Sequence, residues 1–358
     1  MSALAALAAQ GCTCYRTRIQ TACRPGHGAD WSPVGGARFK RSSFSMHLTI
    51  GTRRSPLAMA QTEQIMALIR ARHPHVEFSL KPIATIADKD RVSHFHQFGI
   101  IGVFSTEHEE QLVSGEVDIV VHSLKDLPTK LRDGLVLAAV PGREDPRDIL
   151  CGSPLAELKP GARVGTGSLR RRAQLLALTP GVEIVPIRGN IGPRLARTEG
   201  EDGLDAVILA CAGLQRLGLK PGHSEILEPG LFPYAVGQGA LGVQARAADT
   251  EILAILKDIE DAKTRAEVDA ERAMLHALGA GCSLPVGTSA HWRDGKLVLS
   301  GQVTSIDGRK RVVEELEGSP EEAAQLGLAV ADALRAAGGA AILEASYGNF
   351  AHFKLHGH

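Results

Sequence analysis

Two α/β blocks followed by a small α+β domain are what this sequence predicts, and three observations carry that expectation. From Met46 onward, short β-rich runs alternate with helical apolar stripes. The alternation pauses near Pro146 and then restarts. After about residue 262 the order changes to one helix, three strands and two helices. Strands alternating with helices argue for parallel pairing, because a parallel pair needs a crossover, whereas runs of strands beside runs of helices argue for α+β.

The elements follow in order. "LTIGT" is strand-like. "SPLAMAQTEQIMALIRAR" reads as a helix, with Ser55 as N-cap, Pro56 at the first helical position and an apolar stripe of Leu57, Ile65, Leu68 and Ile69. "VEFSLKPI" is a strand. "STEHEEQLVSG" is a helix with Thr106 and Glu109 at capping-box spacing and Gly115 as its stop. "VDIVVHS" and "GLVLAAV" are buried strands. Beyond Pro146 come "RVGTG" (strand), "SLRRRAQLLAL" (helix), "VEIVPI" (strand), "GPRLARTE" (helix) and "DAVILA" (strand). In the last block "TSAHWRDG", "KLVLSGQVTS" and "KRVVEELEG" are strands.

Composition narrows the function classes. The 358 residues suggest two or three domains, and 44% hydrophobic content supplies ordinary cores. Lys plus Arg and Asp plus Glu both number 40, and aromatics are only 4%, which argues against a nucleic-acid binder. No run is long enough to cross a bilayer as a helix. Six cysteines without a CxxC spacing do not make a disulfide framework or a zinc site, so a reducing compartment fits and no metal is expected. Residues 1–45 carry Arg16, Arg18, Arg24, Arg38, Lys40 and Arg41 against one acid, Asp30, with no periodicity. They read as a disordered extension, either a transit peptide or sequence upstream of a true start at Met46. The second reading, preferred here, implies the cytoplasm; the first would imply a plastid.

Arginines recur where strands hand over to helices: Arg53 and Arg54 after the first strand, Arg170 to Arg172 in "GTGSLRRRAQ", Arg188 and Arg194 in "PIRGNIGPRLAR", and Arg216 in "AGLQRLG". Three cations in a first helical turn oppose the helix dipole, and a bound anion would reverse the sign of that interaction. With no GxGxxG and no P-loop lysine motif, the pattern favours carboxylates gripped by arginine forks over nucleotide. In "VVHSLKDLP" a strand ends at His122, and Lys125 and Asp126 crowd the turn behind it, where open α/β sheets bind ligands. Finally, "LGAGCSLPVG" places Cys282 in a glycine loop, as an inert thiol, a nucleophile, a metal ligand or an attachment point.

Together these stretches, with "REDPRDIL" and "AVGQGALGVQAR", resemble the porphobilinogen deaminase family over nearly all of residues 47–346. The resemblance implies two lobes of the periplasmic-binding-protein kind, with mixed, mostly parallel sheets. Residues 46–143 and 240–257 would form lobe 1, residues 144–239 lobe 2, and residues 262–358 the C-terminal domain carrying the cofactor. It implies a transferase of tetrapyrrole biosynthesis. Four porphobilinogens are joined head to tail, each losing ammonia, on a dipyrromethane held by a thioether to Cys282, and hydroxymethylbilane is then hydrolysed off. By the same resemblance Asp126 is the catalytic carboxylate. Arg53, Arg170, Arg171, Arg188, Arg194 and Arg216 hold carboxylates, helped by Ser55, Lys125, Thr166, Ser168, Gly189, Asn190 and Gln238. A monomer handing its product to uroporphyrinogen-III synthase is also implied. The family's lid glycine and lysine are replaced here by Ile100 and Ile101 in "FGIIGVF". A non-catalytic anion-binding module, the alternative, would need the arginines but neither Asp126 nor Cys282. A cysteine hydrolase would need a histidine partner, and His276 forms no triad pattern.

Overall fold

The computed structural model describes residues 46–83, 106–199, 203–279 and 284–346. The expected extension, the lid isoleucines Ile100 and Ile101, and Cys282 lie outside the described residues.

The first block contributes β1 (Met46–Thr52), α1 (Pro56–Arg72), β2 (Val76–Pro82), α2 (Thr106–Val113), β3 (Ile119–Ser123) and β4 (Leu135–Ala139). The second contributes β5 (Asp148–Gly152), β6 (Arg163–Gly165), α3 (Leu169–Leu178), β7 (Glu183–Val185), α4 (Ile191–Leu195), β8 (Ala206–Ala210), α5 (Cys211–Arg216) and β9 (Ser224–Leu227). Then follow β10 (Leu241–Arg246), α6 (Thr250–Lys257), α7 (Ala262–Ala277), β11 (Val286–Arg293), β12 (Lys296–Thr304), β13 (Arg311–Gly318), α8 (Ala323–Ala336) and α9 (Gly339–Ser346). Among the described residues no single helix is long and apolar enough to cross a membrane.

The strands form two five-stranded sheets of like design, ordered β2-β1-β3-β10-β4 and β7-β6-β8-β5-β9. Both are mixed, but the parallel bias is weaker than expected. In each, two of the four pairings are parallel and two antiparallel. The cause is a strand entering each sheet from a segment that crosses between lobes. β5 follows residues 140–147, β10 follows residues 233–240, and each runs antiparallel to both its neighbours.

Local chemistry sets α1 as its sequence suggests. Ser55 Oγ accepts from the Ala58 N–H at 3.2 Å, and Pro56 opens the first turn. The buried stripe differs from the expected one. Ile65, Met66 and Ile69 pack on Leu48, Ile50 and Ile119, while Leu57 and Leu68 stay half-buried. Toward the helix start the stripe continues as the polar pair Gln61 and Thr62, buried because they bond to the strand ends. Thr62 Oγ1 bonds Thr52 Oγ1 at 2.8 Å, and Gln61 Nε2 donates to Ser123 Oγ at 2.7 Å. In α2, Thr106 is itself helical, and Glu109 accepts from Gln244 Nε2 at 3.1 Å.

The crossing segments lie side by side, with Glu144 N donating to Gly239 O at 3.2 Å. Gly239 has φ +85°, and a Cβ there would come within 2.4 Å of Glu144 O. Gly239→Ala therefore combines a disfavoured backbone with a backbone collision. It should cost roughly 1–3 kcal/mol, read from the midpoint of urea unfolding.

The C-terminal domain is an antiparallel sheet, β11-β12-β13, covered by α7 and α8, with Met274, Leu299, Val303, Val330 and Leu334 in its core. It is joined to the crossing segment 233–240 by a backbone bridge between Tyr234 and Thr288. The β12–β13 turn also sits so close to α3 that a Cβ on Gly308 would meet Ala177 N at 2.5 Å.

Candidate active site

The first half of the site is the end of β3. Its last residue, Ser123, is held by Gln61, and Leu124 to Asp126 then form a single 3₁₀ turn. The turn is pinned from two directions. Leu124 N donates to Ala240 O at 3.0 Å. From α7, Arg272 donates to Leu127 O at 3.0 Å and to Pro128 O at 2.7 Å. Below it, buried His122 bonds Gln244 Oε1 at 3.0 Å, and burial together with the neighbouring His108 lowers its pKa to about 3. The imidazole is thus a neutral structural donor. Asp126 is exposed at the end of this braced turn. Beside it, burial lowers the pKa of Lys125 to about 8 against the opposing pull of Asp126, and Nζ donates to Gln238 Oε1 at 3.4 Å.

The second half is the start of α3. Ser168 is the N-cap, its Oγ accepting from Arg171 N at 3.4 Å, and buried Thr166 Oγ1 accepts from Ser168 N at 3.2 Å. Arg170 and Arg171 are only 4% and 7% exposed. The anion that meets them in this structure is a protein carboxylate, Asp148, fully buried at the first position of β5. Burial alone would push the Asp148 carboxyl up. The two guanidiniums override it and hold it well below the usual carboxylate range. Arg170 also donates to Pro233 O at 2.6 Å and Arg171 to Ile208 O at 2.8 Å.

Arg194 is half-buried on α4. Burial and the nearby Arg171 lower its pKa, with Asp126 opposing and Arg188 adding to the fall, so Arg194 lies within reach of the Asp126 charge. Arg188 is exposed, followed by Gly189 at φ +97° and Asn190 as the α4 N-cap. Arg53 is half-buried just beyond β1. Two other expected site residues, the polar helper Ser55 and the carboxylate-holding Arg216, are already engaged. Ser55 caps α1, and Arg216 bonds Gln64 Oε1 at 3.2 Å and Gly239 O at 2.8 Å, which ties α5 to α1 and to a crossing segment. Gln238 is the hub. It is 1% exposed, accepts from Lys125, and donates to Asp148 Oδ1 at 2.9 Å and Pro146 O at 2.7 Å.

Behind the hub stands a clamp that sequence reasoning missed. Arg143 makes a bidentate pair with Glu271 at 2.8 and 3.0 Å and donates to Gln238 O at 2.8 Å, while Glu271 also accepts from Gly237 N at 2.7 Å. Glu271 is fully buried. Glu271→Ala would remove the bidentate partner of Arg143, leaving it the longer Glu267 contact at 3.3 Å, and would strand the Gly237 N–H, a loss of about 3 kcal/mol measurable by urea unfolding.

Asp126, Lys125, Gln238, Arg170, Arg171 and Arg194 are therefore brought together, within reach of one another's charge or hydrogen bonds. Asp148, Arg143, Glu271 and Arg272 complete the set. The one available signal for Asp148 was the mismatch of three arginines at a helix start, which demands an anion that "REDPRD" could supply. The arrangement suits a polycarboxylate. Cations gather at the strand ends, and the Nε–H groups of Arg170 and Arg194 are buried with no hydrogen-bond partner.

Comparison with known proteins agrees with this chemistry. A family model described as porphobilinogen deaminase, dipyromethane cofactor binding domain, matches residues 48–254, and one described as porphobilinogen deaminase, C-terminal domain, matches residues 265–336. A porphobilinogen deaminase of Roseiflexus castenholzii is 44% identical over 299 residues, covering 83% of this chain and 98% of that protein. One of Desulforudis audaxviator is 44% identical over 299 residues, covering 83% and 96%. Among solved structures, the methionine-binding protein MetQ aligns with TM-score 0.37 at 13% identity, covering 63% of this chain and 94% of that one.

Proposed function

Because the chain belongs to the porphobilinogen deaminase family, we propose that Asp126 is its catalytic carboxylate, Cys282 its cofactor attachment point, and the arginine-lined strand ends its cradle for the growing chain. The protein is a transferase of tetrapyrrole synthesis that condenses porphobilinogen and carries a dipyrromethane cofactor. When bound, that cofactor supplies a tethered pyrrole on which the chain is built. Two buried arginine donors without partners fit its carboxylates. In this reading the finished tetrapyrrole leaves as hydroxymethylbilane.

The residues act as follows. Each porphobilinogen brings an acetate and a propionate, and Arg53, Arg188 and Arg194 neutralise them while Arg170 and Arg171 orient them from the helix start. Lys125 holds a further carboxylate. Loss of ammonia leaves positive charge on a pyrrole nitrogen. Asp126, exposed beside the cations, stabilises that charge and moves the pyrrole proton. The observation that carries this assignment is the position of Asp126: an exposed acid on a braced turn, electrostatically linked to Lys125 of one lobe and Arg194 of the other.

The test is an intact mass before and after porphobilinogen is added. The expected result is a dipyrromethane-sized excess over the sequence, then stepwise substrate adducts. A mass equal to the bare chain with no adducts would defeat the reading. In this proposal the protein works as a monomer in the cytoplasm and passes its product to uroporphyrinogen-III synthase. Gel filtration and co-purification with that enzyme test those two associations.

A further inference from the structure

Asp148 stands where a ligand carboxylate would be looked for. Arg170 Nη1 donates to its Oδ2 at 2.7 Å, and Arg171 Nε and Nη2 donate to its Oδ1 at 3.0 and 2.7 Å. Gln238 adds a fourth bond at 2.9 Å. All four groups are buried. Two guanidiniums and one carboxylate leave the trio with one net positive charge, while Arg170 Nε still has no partner.

That charge balance matters for a site that must let its ligand move. Inside a protein the attraction between unit charges is several-fold stronger than in water, so a bare arginine pair would hold anions tightly. A chain that gains two carboxylates with every unit has to slide past such a pair repeatedly. We propose that Asp148 is a positioning residue and internal counter-anion, keeping the Arg170–Arg171 pair at one net charge so that it takes a single carboxylate of the growing chain and gives it up when the chain advances. The inference rests on the family reading above, and its hydrogen bonds also fix the direction of both forks.

Three variants test it: Asp148→Asn, Arg170→Gln and the double. Two readouts are used on the protein as purified. One is the rise in Tm with added propionate, a single-carboxylate probe that needs no turnover. The other is the ladder of porphobilinogen adducts by native mass, with kcat and KM. Asp148→Asn leaves two net charges. It should show a larger propionate shift than the parent, adducts stalled short of four, and kcat down roughly tenfold or more with KM unchanged or lower. Arg170→Gln leaves none, and should lose the propionate shift and raise KM. The double variant restores one net charge, so its propionate shift should return and its kcat should exceed that of Arg170→Gln.

A purely structural Asp148 predicts the reverse, with the double variant no better than the worse single. The proposal is overturned if Asp148→Asn keeps the parent's ladder and propionate shift, or if the double variant does not surpass Arg170→Gln. Should Asp148→Asn not fold, the double variant decides alone: turnover above Arg170→Gln supports the proposal, and equal turnover or failure to fold overturns it. If the parent protein takes up no porphobilinogen at all, the family reading fails instead, and the propionate series still reports on the charge balance.

Discussion

Asp126→Asn should lose about 10²–10⁴-fold in turnover while still binding substrate, because the amide keeps the shape of the carboxylate but cannot balance a developing cation or carry a proton. The surroundings explain why binding survives. The turn is held by Arg272 and by Ala240 O, and neither bond uses the Asp126 side chain. A second signature follows from Lys125. Burial sets its pKa near 8 and the Asp126 charge holds it from falling further, so the neutral amide should move any alkaline limb that reports Lys125 to lower pH. Single-turnover rates across pH measure both effects. A loss smaller than roughly tenfold would remove Asp126 from the catalytic role.

Cys282→Ala should yield a folded protein with neither covalent cofactor nor turnover. The helix that precedes residue 282, α7, is anchored by Glu271 and Arg272 through bonds that do not involve the thiol. Cys151 and Cys211 cannot take its place. Both are buried, and burial raises their pKa values to about 11 and about 12, leaving almost no thiolate at neutral pH. Intact mass gives the answer directly: a dipyrromethane-sized excess persisting in the variant would place the attachment elsewhere.

The fold class was legible because alternation and caps are local signals. Ser55, Pro56 and Ser168 mark helix starts that the structure places at those positions. Polar burial was not legible. Gln61 and Thr62 look like the solvent face of α1 until β1 and β3 supply their partners. The weaker parallel bias escaped for a related reason, since "DILCG" and "LGVQAR" carry no mark of strand direction. In the site, the arginine positions were readable but their partners were not. Arg216 reads as a ligand-binding cation, yet its bonds to Gln64 and Gly239 come from residues 152 and 23 positions away. Asp148 is a strand-edge acid whose meaning appears only when α3 is laid against it.

The place of β10 has a consequence for synthesis of the chain. It lies between β3 and β4, so the first sheet stays incomplete until residue 246 has left the ribosome, although four of its strands are made by residue 139. At about 5–20 residues per second, that gap lasts several seconds. Throughout it the edges of β3 and β4 expose unpaired N–H and C=O groups of the kind that template aggregation. All five strands of the second sheet, by contrast, come from one uninterrupted stretch, residues 148–227. The lobe translated second is thus the first that can finish, and the lobe translated first needs a guardian while it waits. Proteolysis of arrested nascent chains should find residues 148–227 protected before residues 46–139, and earlier protection of the first lobe would show that it closes without β10.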